Sequence, residues 1–441
     1  MLDILANRTY RHFFGAQVIA LIGTGLATVA LGLLAFDLAG DEAGMVLGTA
    51  LAIKMLAYVG VAPIAAAFAD RLPRRTMLVA LDLIRAAVAL LLPFVSQVWE
   101  VYVLIFVLQA ASAAFTPTFQ ATIPDVLPDE KEYTKALSLS RLAYDMESLI
   151  SPMLAAALLT VVSFHDLFAG TVVGFLVSAA LVVSVTLPTP PVSQRRGIYD
   201  RTTRGLRIYL ATPRLRGLLA ISAGVAAAGS MVFVNTVVIV QAGFGLTQSA
   251  VALALASFGA GSMVAALGLP RLLEKWSDRT AMLGGIGVMV VGLFAGNLVV
   301  GHTSLMVLWF VLGLGYSTAQ TPSGRLLRRS AQAGDRPALF AAQFALSHAC
   351  WLLFYPLAGW LGTRFGMTAA FVVLGIAGAL AVWVTTMVWP SQDPEVIEHE
   401  HPDLPHGHAH TLDAVRDGVR VRHAHAFVVD DQHPHWPSAG R

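Results

Sequence analysis

The stretch AAFADRLPRR, residues 66–75, separates two long apolar runs that begin near Val46 and Thr76. A helix rises about 1.5 Å per residue, so roughly 20 apolar residues cross a hydrocarbon layer of about 30 Å. Both runs reach that length. The charged stretch between them therefore predicts a short polar loop that joins two membrane-spanning helices.

Further runs of the same kind lie on both sides of this pair, and together they predict twelve spans. The composition agrees, because 56% of the residues are hydrophobic, 13% are charged and the mean hydropathy is +0.69, whereas about a quarter of the residues in a soluble domain are charged. A net charge of +2, spread over short loops, excludes a nucleic-acid partner. We predict an all-α membrane protein of twelve transmembrane helices in two six-helix bundles. The predicted spans start near Phe13, Val46, Thr76, Val101, Ala136, Leu167, Gly217, Ser249, Ala281, Ser304, Ala338 and Thr368.

Basic residues alternate from loop to loop, and cytoplasmic loops are the ones that retain arginine and lysine. With the N-terminus inside, the external loops hold essentially only Arg364. We therefore expect a multi-pass protein of the bacterial inner membrane, embedded in the lipid bilayer, with both termini in the cytoplasm. The cytoplasmic set comprises Arg8, Arg11, Arg71, Arg74, Arg75, Lys131, Lys135, Arg141, the arginines of 195–216, Arg271, Lys275, Arg279, Arg325, Arg328, Arg329 and Arg336.

One connection, residues 188–216, is much longer than the others and divides the chain into two halves. It opens with three helix-stopping prolines and carries seven arginines. The predicted domains are a first six-helix bundle at 1–187, this arginine-rich cytoplasmic linker at 188–216, a second six-helix bundle at 217–389 and a histidine-rich tail at 390–441. We expect the tail to be disordered, because it has too few apolar residues to fold alone.

The stretch 66–75 resembles the loop signature G-x-x-x-D-R-x-G-R-R of the major facilitator superfamily, although Ala66 and Pro73 stand where the signature has glycine. A weaker copy of its charges follows the eighth span, as a duplicated half would leave. The resemblance implies a monomeric transporter with a cytoplasmic gate whose charged residues pair across the halves. The alternative is that these arginines only set the topology. The gate residues would be Asp70, Arg71, Arg74 and Arg75; the weaker copy is Arg271, Glu274, Lys275, Asp278 and Arg279.

Three further stretches, IPDVLP at 123–128, ALSLS at 136–140 and Ser151-Pro152, resemble a branch of that superfamily that includes siderophore exporters and nickel and cobalt resistance exporters. The resemblance implies alternating access around a small-molecule or metal-ion site near mid-membrane, with no required cofactor. An enzyme is not expected, because the sequence contains no nucleotide-binding loop, H-E-x-x-H pair or G-x-S-x-G motif.

Ionisable side chains inside the predicted spans are candidates for proton coupling or for lining a cavity, because a charge at membrane depth costs about 2.5 to 3.5 kcal/mol. Asp82 and Arg85 share a helix face and can also form a purely structural ion pair. Asp145 and Glu147 lie about 200° apart around a helix, so one is expected to face the central cavity and the other a neighbouring helix. The candidates are Lys54, Asp82, Arg85, Asp145, Glu147 and His348.

Three of these candidates keep two interpretations each. A cavity carboxylate, Asp145 or Glu147, can take up and release a proton in each cycle, or it can serve in a structural pair, for instance with Lys54. His348 can be a proton carrier or cation ligand, or it can simply bond to a neighbouring helix.

Nine of the thirteen histidines follow residue 398, many as H-x-H units. In an extended chain, residues two apart point the same way, so two imidazoles can reach one divalent metal ion. The alternative is a solvated low-complexity tail without function. The candidate metal ligands are His399, His401, His406, His408, His410, His423, His425, His433 and His435.

The leading functional hypothesis is a proton-coupled exporter, with a divalent cation such as nickel or cobalt as the first candidate substrate. A drug or siderophore is the second, in which case the tail is incidental. A hypothesis of another class is a membrane metal sensor that binds ions on its tail.

Overall fold

The computed structural model describes residues 2–39, 43–69, 73–188, 198–394, 396–400, 415–417, 420–433 and 435–437. Six predicted site residues lie outside the described residues: Asp70 and Arg71 of the gate, and His401, His406, His408 and His410 of the tail.

Six long helices form the first half of the molecule. Asp129 caps α5, where its carboxylate accepts hydrogen bonds from the backbone N–H groups of Lys131 and Glu132. At the start of α4, the N–H groups of Ser96 and Gln97 donate to the carboxylate of Glu100. Such caps satisfy N–H groups that have no partner within the helix. The helices are α1 (Arg8–Ala39), α2 (Ala43–Ala69), α3 (Arg74–Leu91), α4 (Val98–Val126), α5 (Glu130–Leu158) and α6 (Phe164–Val183).

The second half begins after the linker and ends in one long, broken helix. At Gly366 the backbone has φ 84°, a left-handed value that favours glycine, and this breaks α13 into two helices at 336–365 and 367–388. A π-helical turn, Val238–Gly243, continues α8. The helices are α7 (Ile198–Ala211), α8 (Pro213–Val237), α9 (Gln248–Leu272), α10 (Asp278–Ala295), α11 (His302–Gln320), α12 (Ser323–Arg329) and α13 (Arg336–Val388).

Among the described residues, eight helical segments are long and apolar enough to cross a membrane, and α13 is one of them. Because α13 contains two helices, these segments provide nine spans, and α2, α5 and α11 complete twelve. Each predicted span begins within one of these helices. The predicted all-α fold of twelve spans in two bundles is confirmed.

The predicted linker, 188–216, contains the helix α7. This helix packs against the start of α13, and a Cβ atom added at Gly205 would overlap the carbonyl oxygen of Ala338. The close approach of the two backbones therefore requires glycine at this position. The two halves meet where α2 packs on α13 and α5 packs on α9.

The prediction of a disordered tail is wrong for the parts of 390–441 that the structure describes. Three strands, β1 (Val396–Glu400), β2 (Val415–Asp417) and β3 (Arg420–Ala426), form an antiparallel sheet in the order β1-β3-β2. Beyond β3, Phe427 and Val429 are buried, and Val429 belongs to the apolar core of the second half. Val429 and Trp436 pack against the helical domain, so these described parts of the tail do not need a core of their own.

Candidate functional site

The helix α5 carries an ion pair at the boundary with the second half. Arg141 donates to one carboxylate oxygen of Asp145 at 2.7 Å, and Ser262 of α9 donates its hydroxyl to the other at 2.6 Å. The Arg141 guanidinium also lies over the ring of Tyr316 in α11, 4.4 Å from its centroid. These charge-assisted contacts tie α5 to two helices of the second half.

Arg141 was assigned to a cytoplasmic loop in the sequence analysis, and this assignment is wrong. The loop before α5 is short, because Asp129 starts the helix at Glu130, so Arg141 lies three turns inside it. An arginine four residues before an aspartate on a helix is the signal that indicates the pair.

Aromatic rings extend from the Arg141–Asp145 pair into the second half; we call them the aromatic row. Phe258 lies 5.3 Å from Tyr316 and 5.4 Å from Phe233, measured between ring centroids. Phe233 in turn lies 5.9 Å from Trp351, which lies 4.9 Å from Tyr355. Such faces bind apolar and cationic organic groups.

Glu147, two residues after Asp145, lies toward the first half. A Cβ atom added at Gly25 of α1 would stand 2.8 Å from its Oε1 atom, so α1 passes directly beside the carboxylate. Among the described residues, Lys54 of α2 is the one charged group that acts on Glu147. Asp145 thus accepts direct hydrogen bonds from Arg141 and Ser262, whereas Glu147 interacts with the charge of Lys54 without a hydrogen bond between them.

His348 of α13 lies where the second half contacts α2. Its ring stacks edge-on against Tyr58 at 4.8 Å and lies 4.2 Å from Phe344, and Lys54 stands over Tyr58 at 5.5 Å. Its Nδ1 atom donates to the carbonyl of Phe344 at 2.7 Å, because a carbonyl oxygen can only accept. The structure therefore brings Lys54, Glu147 and His348 into one region between the halves.

Asp82 and Arg85 form an ion pair inside the first half. Asp82 also accepts a hydrogen bond from Ser178 of α6 at 2.8 Å, and the Arg85 guanidinium lies between the rings of Phe115 and Phe175, at 4.0 and 4.5 Å. Asp82 is 0% exposed, and the described hydrogen-bond and ring partners of the pair all belong to the first half. This geometry supports the structural interpretation of the pair.

One end of the bundle, which we call the arginine-rich face, carries Arg74, Arg325, Arg328 and Arg336. Asp125, at the end of α4, pairs with Arg74 of the first half and with Arg336 of the second, the latter at 2.6 Å. The described gate residue Arg75 donates to the carbonyl of Val183 within the first half. Asp125 thus joins the two halves at this face.

Further contacts across the halves lie beside Asp125. Arg325 pairs across the halves with Glu130 of α5 at 2.6 Å and within the second half with Asp278 of α10 at 3.2 Å, and Arg328 donates to the carbonyl of Pro128. The sequence analysis did not identify Asp125, Glu130 or Arg325 as gate residues. Asp125 stood within the quoted stretch 123–128, but its partner in the second half, Arg336, is 211 residues away.

Three of the nine tail histidines come together in the described structure. The ligand nitrogens of His423, His425 and His433 all lie within 4.8 Å of one another. His399 stands opposite His423 in the register of β1 and β3, and His435 is exposed. An imidazole set of this kind suits zinc, nickel, cobalt or copper.

Comparison with known proteins agrees with this architecture. A family model described as Major Facilitator Superfamily matches residues 13–233 and 219–417. The chain is 23% identical over 332 residues to the uncharacterized MFS-type transporter YfiS of Bacillus subtilis, over 73% of this chain and 79% of that protein. It is 27% identical over 180 residues to macrolide efflux protein A of Streptococcus pyogenes, over 40% of this chain and 44% of that protein.

Among solved structures, the human organic anion transporter MFSD10 superposes with a TM-score of 0.74 at 12% identity, over 86% of this chain and 99% of that one. An identity this low shows a common fold alone. The family model, in contrast, covers most of the chain in two adjacent matches, one for each half. The chain therefore belongs to the Major Facilitator Superfamily, a family of membrane transporters.

Proposed function

We propose that this transporter is a proton-coupled exporter of amphipathic organic molecules, with its arginine-rich face in the cytoplasm. The orientation is supported by the excess of arginine and lysine on that face. The observation that carries the proposal is the unequal environment of two carboxylates on α5, next to the aromatic row.

Glu147 is assigned the proton-carrying role because, among the described residues, none donates a hydrogen bond to its carboxylate, so its charge can change without breaking one. Lys54 alone among the charged groups of the described residues acts on it. When Glu147 takes up a proton, Lys54 loses a counter-charge, and the balance of charge between α2 and α5 changes. Asp145 cannot do this as easily, since protonation would disrupt its bonds to Arg141 and Ser262.

An organic substrate is supported by the aromatic row and by the named activity of one set of relatives. Aromatic faces beside a charged pair match a molecule with a large apolar body and a polar group. The relative in Streptococcus pyogenes is named a macrolide efflux protein. A divalent cation at this position would be repelled by Lys54 and Arg141, which lie near the two carboxylates.

A divalent metal remains the second candidate substrate, and the observation that favours it is the convergence of His423, His425 and His433. These histidines lie on the tail, so their role in transport would be to collect ions for a membrane pathway. The nickel and cobalt hypothesis and the sensor hypothesis both predict metal binding at this position, and they differ in whether metal crosses the membrane.

The test is uptake into inverted vesicles under an imposed pH gradient. We expect a macrolide and a cationic dye to accumulate, with nickel and zinc at background. Glu147→Gln should abolish gradient-driven uptake, whereas Glu274→Gln, a matched change at an exposed carboxylate, should not. Unchanged uptake in Glu147→Gln would reject the assigned proton carrier, and metal uptake without organic uptake would reject the substrate.

A further inference from the structure

The three converging tail histidines have the local support that metal ligands need. His423 and His425 are two residues apart on β3 and share a face of the strand. A turn at 430–433 returns the chain, with the Asp430 N–H donating to the His433 carbonyl at 3.1 Å. Because metal–imidazole bonds are about 2.0 to 2.1 Å long, ligand nitrogens around one ion are roughly 3.5 Å apart. Small side-chain rotations from the present spacing, within 4.8 Å, would close the site.

Two of these histidines are already oriented by hydrogen bonds on their Nδ1 atoms. The Nδ1 atom of His433 lies 2.9 Å from Asp430 Oδ1, and that of His425 lies 2.8 Å from the carbonyl oxygen of Ala426. A carboxylate and a carbonyl only accept, so both Nδ1 atoms donate and Nε2 is the ligand atom. A carboxylate that holds a histidine in this way is the usual support of a metal ligand.

The same turn is fastened to the second half of the transporter. The other oxygen of Asp430 accepts a hydrogen bond from Gln332 at 2.9 Å, and Asp431 pairs with Arg204 of α7 at 2.8 Å. The guanidinium carbon of Arg214 lies over the ring of Trp436, 4.7 Å from the ring centroid. A residue that supports His433 therefore also holds the loop that precedes α13.

The loop before α13 is followed directly by Arg336, which pairs with Asp125 and so joins the halves. Arg204 makes two hydrogen bonds to Asp335, at 2.5 and 2.7 Å, while it pairs with Asp431. Burial lowers the pKa of Arg204, but the two carboxylates raise it by more, so this arginine stays charged. The next residue, Arg336, pairs with Asp125 of the first half, and its N–H donates to the Gln332 carbonyl at 3.2 Å.

We propose that His423, His425 and His433 form a regulatory site for a divalent first-row metal such as Zn²⁺ or Ni²⁺, and that an ion bound there favours closure of the arginine-rich face. The ion fixes His433 and, through Asp430 and Asp431, the turn at 332–336. Because the ion binds the docked tail more tightly than a released one, it shifts the equilibrium toward the state in which Arg336 meets Asp125.

The metal-binding step is tested by titration of the full-length protein in detergent with Zn²⁺ or Ni²⁺ alone. Replacing His423, His425 and His433 by alanine should remove one tightly bound ion. Replacing His406, His408 and His410, a matched set in the same tail, should retain it. His423→Gln leaves both docking carboxylates in place and should weaken binding at least about tenfold, as should Asp430→Asn. Equal stoichiometry and affinity in all variants would overturn the site.

The coupling step is tested by hydrogen exchange of residues 332–340 with and without metal. Protection should increase several-fold on metal binding in the unaltered protein and in Arg207→Ala. It should not increase in the double variant Arg204→Ala with Gln332→Ala, which removes both side-chain links from the turn at 430–433 to residues 332–335. Arg207 is the matched control, because it lies on α7 and pairs with Asp200 of the same helix. Metal binding without any change in exchange would overturn the coupling.

The effect on transport rests on the proposed function, whereas binding and exchange do not. Saturating metal should slow macrolide or dye export several-fold in the unaltered protein and leave the double variant Arg204→Ala with Gln332→Ala unaffected. If no organic compound is transported but binding and exchange behave as described, the proposed function fails and the metal site stands. If export proceeds at one rate with and without metal, the regulatory role fails.

Discussion

Asp145 and Glu147 are two carboxylates on one helix, two residues apart, and their surroundings differ in kind. Asp145 receives hydrogen bonds from Arg141 and Ser262 and joins the halves. Glu147 lies against α1, and Lys54 acts on it from α2. The difference follows from helix geometry, because a step of two residues turns a side chain by about 200°. Asp145 therefore holds a contact between the halves, and the proposed function assigns the change of charge to Glu147.

The largest expected effect is on coupling. Glu147→Gln removes the charge and keeps the shape, so gradient-driven flux should fall to background, while exchange of substrate across the membrane continues without a gradient. Flux and exchange in proteoliposomes measure the two separately. If Asp145→Asn abolished the gradient response and Glu147→Gln did not, the two roles would have to be reversed.

The next effect is on stability. Asp145→Ala leaves Arg141 without its partner and should cost about 3 to 5 kcal/mol, because an uncompensated charge remains at a buried position. Thermal unfolding in detergent measures this. A double variant, Asp145→Leu with Arg141→Met, should recover much of the loss. If the double variant were no more stable than Asp145→Ala, the loss of stability would come from altered packing and not from the unpaired charge of Arg141.

A smaller effect is expected at the arginine-rich face. Arg336→Gln removes the hydrogen bond between charged groups that links Asp125 to the second half, worth about 1.5 to 3 kcal/mol. The closed face should open more often, which increases deuterium labelling of the backbone at 123–128 and 336–340 in hydrogen exchange. Arg364→Gln, an exposed arginine near the end of the first helix of α13, is the control. Equal labelling in both variants would contradict a closing role for Asp125 and Arg336.

The smallest effect concerns space beside Glu147. Gly25→Ala would push a methyl group against Ser151 and to 2.8 Å from the Glu147 carboxylate, and transport should slow a few-fold. Gly60→Ala, on α2, meets no atom within 4 Å and should leave the rate unchanged while favouring the helix by about 1 kcal/mol. Equal rates in the two variants would mean that Glu147 has room to move aside.

The site was only partly predictable from the sequence. The intramembrane charges stood out because such residues are costly in lipid, and Asp82, Arg85, Asp145 and Glu147 were named for that reason. The partners of each acid could not be predicted from the sequence, because they lie far away along the chain. Ser262, for example, is 117 residues from Asp145. It also placed Arg141 in a loop, because basic residues near a span end set topology in the same way as those outside it.

For the tail, the sequence predicted too little structure. Its composition indicated disorder, because a segment with few apolar residues cannot form a core by itself. The structure buries Phe427 among tail side chains and Val429 in the core of the second half, and it brings His423, His425 and His433 together. The H-x-H spacing predicted that His423 and His425 share a face, but no spacing rule predicts that a turn returns His433 to them.

By itself, the sequence determined that the chain lies in a lipid bilayer, how many spans it has, and that the spans form two halves. Long apolar runs and alternating basic loops are local properties, and lipid imposes the helix on each run separately. Only the tertiary structure decided which charges meet: Asp125 with Arg336, Asp145 with Ser262, and Asp431 with Arg204. These pairs join residues more than a hundred positions apart, and their partners are selected by the packing of whole helices, which no local pattern encodes.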